Sequence, residues 1–334
     1  MKNKDLYTLS IIFPLLDASE DVEPVFKSVA KQIKIKKSSI EIIVIDDGSK
    51  DDTVSVVENS KKLFDKFGNF SIIIHKNRKG LPATRLDGVK IARGKYITFV
   101  DKKVRPDSDY LYQFLNKNRN FVIGNVYINK YRNAWGRVLS LVRKKLYYPY
   151  FNHEFEDIVL DTEGYRAFKN KGGGGAMFIL RDYYLDVAEG QSLSMHSNDD
   201  TRLIMDLTKK EPLLKTASAK SEYLNREGFW ENIIHLYNRG PKFIDFYIKP
   251  GSRFFPLIMA LALVFVLNLV FAFFYPQLIL IELAFSIIID ILVSIWLSEE
   301  FSDFQYLFIL FPIAITIFSL GVFKGLFMKL FRLY

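Results

Sequence analysis

The chain has 334 residues, 49% of them hydrophobic and 25% charged, with 46 Lys and Arg against 37 Asp and Glu for a formal balance of +9. It has no cysteine, which excludes disulfides and thiolate metal sites. The length suffices for one large domain or two smaller ones, and the positive balance suits anionic lipid or phosphorylated substrates; beside the membrane segments described below, no nucleic-acid partner is expected.

The start, MKNKDLYTLSIIF, has too short an apolar stretch for a secretory signal, so the N-terminal part is expected in the cytosol. Strand and helix patterns then alternate. Leu9 to Leu16 reads as a buried strand and Val22 to Gln32 as an amphipathic helix. Glu41 to Ile45 is the next strand and Thr53 to Phe67 a helix. Ser71 to His75 (strand), Pro82 to Ala92 (helix) and Tyr96 to Val100 (strand) continue the series. Such alternation predicts an α/β domain with a mostly parallel sheet wrapped by helices, and ligands of such sheets bind beyond the carboxyl ends of the strands. Asp46, Asp47 and Asp101 stand at such ends.

Ala134 to Phe151, AWGRVLSLVRKKLYYPYF, mixes Leu and Val with Arg, Lys, Trp and Tyr at helical spacing. It predicts a helix lying on a membrane surface, with an amphipathic packing helix as the alternative. From Phe254 to Phe323 only Glu282, Asp290, Glu299, Glu300 and Asp303 interrupt an uncharged run. Three spans are expected near 256–275, 277–297 and 304–323, each able to cross about 30 Å of hydrocarbon. The division is therefore 1–252 for the α/β domain and 253–334 for a multi-pass membrane region with the α/β domain cytoplasmic. Basic residues at both ends of three spans conflict with one another, so one segment is a candidate for a re-entrant or interfacial position. Glu282 and Asp290 inside the second span are costly in lipid and are expected to face protein or water.

Five stretches at strand ends or loops carry the chemistry: SIIFPLLDAS, IVIDDGSKDDT, KNRKGLPATRLDGVKIARGKYITFVDKKVRP, GGGGAMFILR and SNDDTRL. In order and spacing they resemble family-2 glycosyltransferases over roughly residues 7 to 245. The resemblance implies a GT-A nucleotide-sugar-binding fold followed by transmembrane helices, and transfer of a sugar from a nucleotide-diphosphate sugar. Pro14 and Asp17 then stand where the first strand opens onto the nucleotide base. Asp46 and Asp47 match the acidic pair that contacts base or ribose; the structural alternative is a turn and helix cap built by Ser49, Asp51 and Asp52. Gly80 and Arg85 match the segment that closes over base and diphosphate, and Arg85 has a surface ion pair as its alternative.

Asp101 matches the first carboxylate of the family's Asp-x-Asp motif, but the motif here reads Asp101-Lys102-Lys103. Three explanations stand. Lys103 supplies the positive charge that a metal would give; or a divalent cation, Mg or Mn, is held by Asp101 with Asp199; or the protein binds without catalysing. Lys102 and Arg105 add positive charge to the same turn. Gly173 and Gly174, with Asp199, match the acceptor side. Asp200 matches the general base that takes the acceptor's proton, with a helix cap as alternative. The Gln-x-x-Arg-Trp motif of processive members is absent; Arg239 is the candidate to meet the diphosphate in its stead, which argues against cellulose-like polymer synthesis. The expected acceptor is membrane-associated, either a polyprenyl phosphate or a lipid-linked saccharide. An ionised phosphate needs no base, so Asp200 favours a hydroxyl. A dinucleotide oxidoreductase would also suit the alternation, but the first strand is followed by PLLDAS where Gly-x-Gly-x-x-Gly is required.

Overall fold

The computed structural model describes residues 6–129, 133–168, 174–191, 199–226, 228–248 and 274–331, with isolated positions 255, 256, 260, 264 and 267. The chain divides into two compact units. The first holds most of the described residues up to Asn225; the second holds the helix Ala134–Leu146 and what is described from Arg226 onward.

The first unit is built on the expected alternation. Strand β1 (Tyr7–Leu15) leads to helix α1 (Ser19–Ala30), β2 (Ile40–Asp46) to α2 (Thr53–Ser60), and β3 (Asn69–Ile74) to α3 (Leu81–Ile91) and β4 (Gly94–Phe99). β1 lies between β2 and β4, parallel to both, and β3 lies outside β2, also parallel. Alternation along β1 and β2 divides the core in two. Leu9, Ile11, Phe13, Ile42 and Val44 face α1 and α2, while Ile12, Ile43 and Ile45 face α3. The expected Thr53–Phe67 helix is regular only to Ser60 and tightens to a 3₁₀ turn at Lys61–Phe64. That turn brings the Phe64 ring to 5.1 Å from Phe26 and 6.4 Å from Phe13.

The rest of the sheet departs from parallel. β5 (Val104–Pro106), α4 (Tyr110–Leu115), β6 (Phe121–Tyr127), β7 (Ile158–Leu160), α6 (Thr162–Ala167), β8 (Met177–Leu180), α7 (Arg181–Ala188), α8 (Asp199–Leu207) and β9 (Leu213–Tyr223) follow in chain order, and the helix that intervenes in sequence between β6 and β7, α5 (Ala134–Leu146), belongs to the second unit. β8 joins β4 and β6 antiparallel, β9 lies parallel to β6, and β5 and β7 run antiparallel to β9. The sheet is thus mixed, parallel through β1–β4 and again between β6 and β9, and antiparallel where the short strands β5, β7 and β8 join.

Lys215 of β9 is buried and donates from Nζ to the Gly124 carbonyl. Burial alone pushes its pKa down to about 7, from an ordinary 10.5. Between those values the unfolded chain holds a proton that the folded one has released, so stability rises with pH across that window. Lys215→Met is therefore expected to raise the melting temperature in detergent at pH 7 by about 5 °C, with the gain vanishing by about pH 10; an equal shift at both pH values would show that the charge is not the cause.

In the second unit α5 is joined by α9 (Phe229–Tyr247), α10 (Gln277–Leu297) and α11 (Phe301–Leu330). α10 and α11 are long and apolar enough to cross a membrane, α11 extending beyond the expected 304–323. The third expected span, 256–275, falls largely outside the described residues. The apolar face of α5 packs inside the unit, as the packing alternative required. Val138 and Leu141 meet Leu297 and Leu307, and Trp135 meets Leu236 and Ala314. Arg137 bonds Asp303, and Lys144 reaches Glu299 at 2.6 Å, which gives partners to the carboxylates between α10 and α11. Gly321 and Gly325 of α11 form a Gly-x-x-x-Gly spacing against α9. A Cβ on Gly321 would stand 2.1 Å from the Tyr237 carbonyl oxygen, so only glycine permits this crossing.

Candidate active site

The acidic corner after β2 is held almost entirely by its own backbone. Asp46 accepts from the N–H groups of Gly48 and Ser49 at 3.2 and 3.0 Å and from the Ser49 hydroxyl. Asp51 accepts from Ser19 N–H at 3.1 Å and from Thr53, while Thr53 Oγ1 accepts from Ala18 N–H at 2.7 Å. Burial would raise the Asp51 pKa, but the hydrogen bonds from Thr53 and Ser19 outweigh it and bring it to about 2. Asp17 has a left-handed backbone with φ 45°, and its carboxylate accepts from Lys50 N–H at 2.9 Å. Pro14, buried one residue before the end of β1, pairs in register with Ile45. The loops after β1 and β2 are therefore laced into one rim.

Asp47 faces the opposite way along that rim and is buried. Its Oδ1 accepts from Lys79 N–H at 2.8 Å and lies 2.9 Å from His75 Nδ1; its Oδ2 accepts from Gly80 N–H at 2.8 Å. Burial would raise its pKa, but His75, these two N–H groups and Thr84 together hold it below the ordinary value. Gly80 has φ +94°, a conformation that admits glycine readily, and it opens α3. Asp47 thereby fixes the first turn of the helix that carries Arg85. His75 Nε2 also lies 3.1 Å from Asp87, itself 2.6 Å from the Lys79 ammonium, so the ring bridges two carboxylates.

Arg85 is the centre of the site. Its buried guanidinium donates from Nη1 to Asp200 Oδ1 at 2.6 Å and from Nη2 to both Asp101 oxygens at 2.9 and 3.1 Å. It lies 5.2 Å over the Phe99 ring, and its Nε is buried without a partner. Burial would favour loss of its proton, yet Asp101 and Asp200 raise its pKa further above the ordinary range. Residues from α3, the end of β4 and the first turn of α8 thus converge on one cation. Asp101 and Asp200 remain about a third and two fifths exposed, at 32% and 43%, so both can meet a ligand from solvent. The surface alternative for Arg85 is ruled out by its burial.

Gly175 belongs to this cluster. A Cβ there would stand 2.4 Å from Asp101 Oδ2, so the glycine run leaves room for that carboxylate. Gly175→Ala is expected to displace Asp101 from Arg85 and lower turnover about 10²-fold in a protein that still folds; turnover within twofold of wild type would contradict it. Gly174 begins the short 3₁₀ turn Gly174–Ala176, whereas Gly173 and the Asp199 side chain lie outside the described part.

Lys103 points elsewhere. Its ammonium lies 3.0 Å from Asp21 of α1, both largely buried. Lys102 donates to the Leu16 carbonyl at 2.7 Å and to that of Asp17. Arg239, in the second unit, donates from Nε to His235 Nε2 at 3.1 Å. Burial, followed by the Arg239, Arg226, Arg143 and Lys242 charges, pushes the His235 pKa down to about 2. A divalent cation takes one or two carboxylates together with substrate phosphates. No group of three His, Asp or Glu side chains able to hold one occurs among the described residues, and the guanidinium already stands between Asp101 and Asp200. Asp101, a third exposed, is the described carboxylate that would meet a divalent cation arriving with substrate phosphates, while the Asp199 side chain lies outside the described part.

His75, Asp21 and Gly175 were not individually legible. An isolated histidine after a strand, a helix acid and one of four adjacent glycines carry no spacing signal.

The Glycosyl transferase family 2 model matches residues 10–173. A poly(ribitol-phosphate) beta-glucosyltransferase of Bacillus spizizenii is 32% identical over 109 residues, 32% of this chain and 17% of the relative. A GalNAc(5)-diNAcBac-PP-undecaprenol beta-1,3-glucosyltransferase of Campylobacter jejuni is 33% identical over 129 residues, 37% of this chain and 40% of the relative. The chain thus spans well under half the length of these curated relatives. Among solved structures, a Pyrobaculum calidifontis mannosyltransferase in complex with GDP-Man and Mn2+ superposes with a TM-score of 0.58 at 14% identity, covering 96% of this chain and 88% of that one. An S. aureus TarS fragment in complex with UDP-GlcNAc gives 0.51 at 15% identity over 69% and 66%. These two likenesses show the GT-A fold. The match to glycosyl transferase family 2 thus covers the N-terminal domain over residues 10–173, the stretch that carries the acidic strand ends, Arg85 and Asp101.

Proposed function

We propose that this protein is an inverting glycosyltransferase that moves a sugar from a nucleotide-diphosphate sugar to a hydroxyl of a membrane-associated acceptor. The observation that carries the reading is the convergence of Asp101 and Asp200 on the buried Arg85. The acceptor oxygen forms a bond to the anomeric carbon from one face as the bond to the diphosphate breaks on the other. The diphosphate leaves with the bonding electrons, and Asp200 takes the acceptor's proton. Arg85 orients Asp200 and Asp101 and offsets part of the negative charge that these two carboxylates would otherwise present to the diphosphate. Lys103 is held by Asp21 and takes no part in this step. Pro14, Asp17, Asp46, Asp47 and Gly80 form the base and ribose rim, and Gly173, Gly174 and Asp199 the acceptor side.

The Campylobacter relative's name, an undecaprenol-linked glucosyltransferase, supports a lipid-linked saccharide as acceptor. α10 and α11 support a multi-pass membrane protein, with the catalytic domain assigned to the cytoplasm. The test is sugar release or transfer by membrane preparations from a panel of nucleotide sugars, with and without EDTA. Activity that survives EDTA is expected from a guanidinium-neutralised site. Activity restored only by magnesium or manganese would overturn that part, and none with any donor would overturn the assignment as an enzyme.

A further inference from the structure

The strand that follows the Asp101 turn carries a cation that sugar transfer does not use. Arg105 is the middle residue of β5, at the edge of the sheet, in register with Glu222 of β9. Beside it, α1 and β5 enclose a groove of about 510 Å³ lined by Glu23, Pro24, Lys27, Lys31, Arg105 and Pro106 among others. Glu23 and Lys27 share one face of α1, and Lys31 follows them as the C-cap of that helix. Glu23 pairs with Lys27 at 2.6 Å, whereas no carboxylate pairs with Lys31 or Arg105 among the described residues. The Arg105 Nε is buried and makes no hydrogen bond. The Arg105 guanidinium therefore lines the concavity with its charge uncompensated by a carboxylate, beside a second unpaired cation, an arrangement suited to an anion.

From this we infer that the α1–β5 groove binds a phosphate-bearing ligand. The guanidinium fork matches a phosphate better than a lone carboxylate, and Lys31 supplies a second charge. The two proline rings and the lysine stems give an apolar wall for the body that carries the phosphate. A volume of this order exceeds a single phosphate and suits a group the size of a sugar phosphate, a pyrophosphate or a phosphoglycerol headgroup. The site stands on residues outside the Arg85 cluster and does not depend on the transfer reaction.

The experiment uses the full chain in nanodiscs of phosphatidylcholine, with inorganic pyrophosphate titrated by calorimetry into wild type, Arg105→Gln and Lys31→Gln. A soluble ligand predicts binding that weakens at least tenfold in Arg105→Gln and severalfold in Lys31→Gln, and that falls with added salt. A second arm replaces part of the lipid with phosphatidylglycerol. A lipid headgroup as ligand predicts a melting temperature several degrees higher than in phosphatidylcholine alone, with the gain lost in both variants. Lys31 is at the surface, so its variant folds and keeps the test open if Arg105→Gln does not. If neither pyrophosphate nor phosphatidylglycerol separates the variants from wild type, the inference is wrong.

Discussion

Arg85→Met is expected to lower stability by about 3–5 kcal/mol and to abolish transfer. The substitution keeps the length of the side chain and its contact with Phe99 but removes the charge that two carboxylates share. Breaking a buried ion cluster from one side is costly because the charges left behind have lost their partner. Here Asp101 and Asp200 keep partial access to water, which places the cost at the lower end of that range. At roughly 2–4 °C per kcal/mol, the melting temperature in detergent should fall by about 10 °C. Arg85→Lys separates the two effects. A single ammonium cannot reach both carboxylates with the same fork, so it should recover part of the stability and little of the turnover. Full activity in Arg85→Lys would show that any positive charge serves.

Asp47→Asn carries the second large effect. The carboxylate accepts on both oxygens, from Lys79 and Gly80 N–H groups and from His75. An amide would turn its NH2 toward one of these donors whichever way it sits, leaving a buried donor facing a donor. The expected loss is about 3 kcal/mol, since a hydrogen bond to a charged group contributes about 1.5–3 kcal/mol and more than one is disturbed. Because the folded-state pKa lies below 3.8, the contribution of Asp47 is complete above the unfolded value and is lost as the pH falls through the folded one. The gap between wild type and Asp47→Asn should therefore be constant from pH 5 to 8 and close in stronger acid. A gap that persists after the wild-type carboxylate has taken up its proton, followed by its NMR or infrared signal, would assign the effect to shape and not to charge.

These two residues show how much of the site could be read from the chain. The strand ends at Asp47 and Asp101 were legible because short, nearly continuous apolar runs stop abruptly at a carboxylate, and the alternation with helices fixed which end of the sheet they share. That Asp200 joins them was legible only through motif order, since nothing in SNDDTRL fixes its distance from β4. The interpretation of the acidic corner shifted with the structure. Asp46 and Asp51 accept from turn and loop N–H groups, and Asp47 organises α3. Lys103 stood in the sequence beside Asp101, yet its ammonium is directed to Asp21, a residue 82 positions away in the chain. Pairings over such separations leave no local pattern. The antiparallel half of the sheet escaped for a related reason: β5, β7 and β8 have only three or four residues each, too few for a periodicity to emerge.

A base at Asp200 is the element on which the transfer chemistry turns, and single-turnover transfer from labelled donor by Asp200→Asn, alongside donor binding by the same variant, probes it most directly. A drop of about 10²–10⁴ in rate with donor affinity kept within a few-fold is predicted, because the amide still bonds Arg85 but cannot accept a proton. Transfer at the wild-type rate by the folded variant would contradict the assignment.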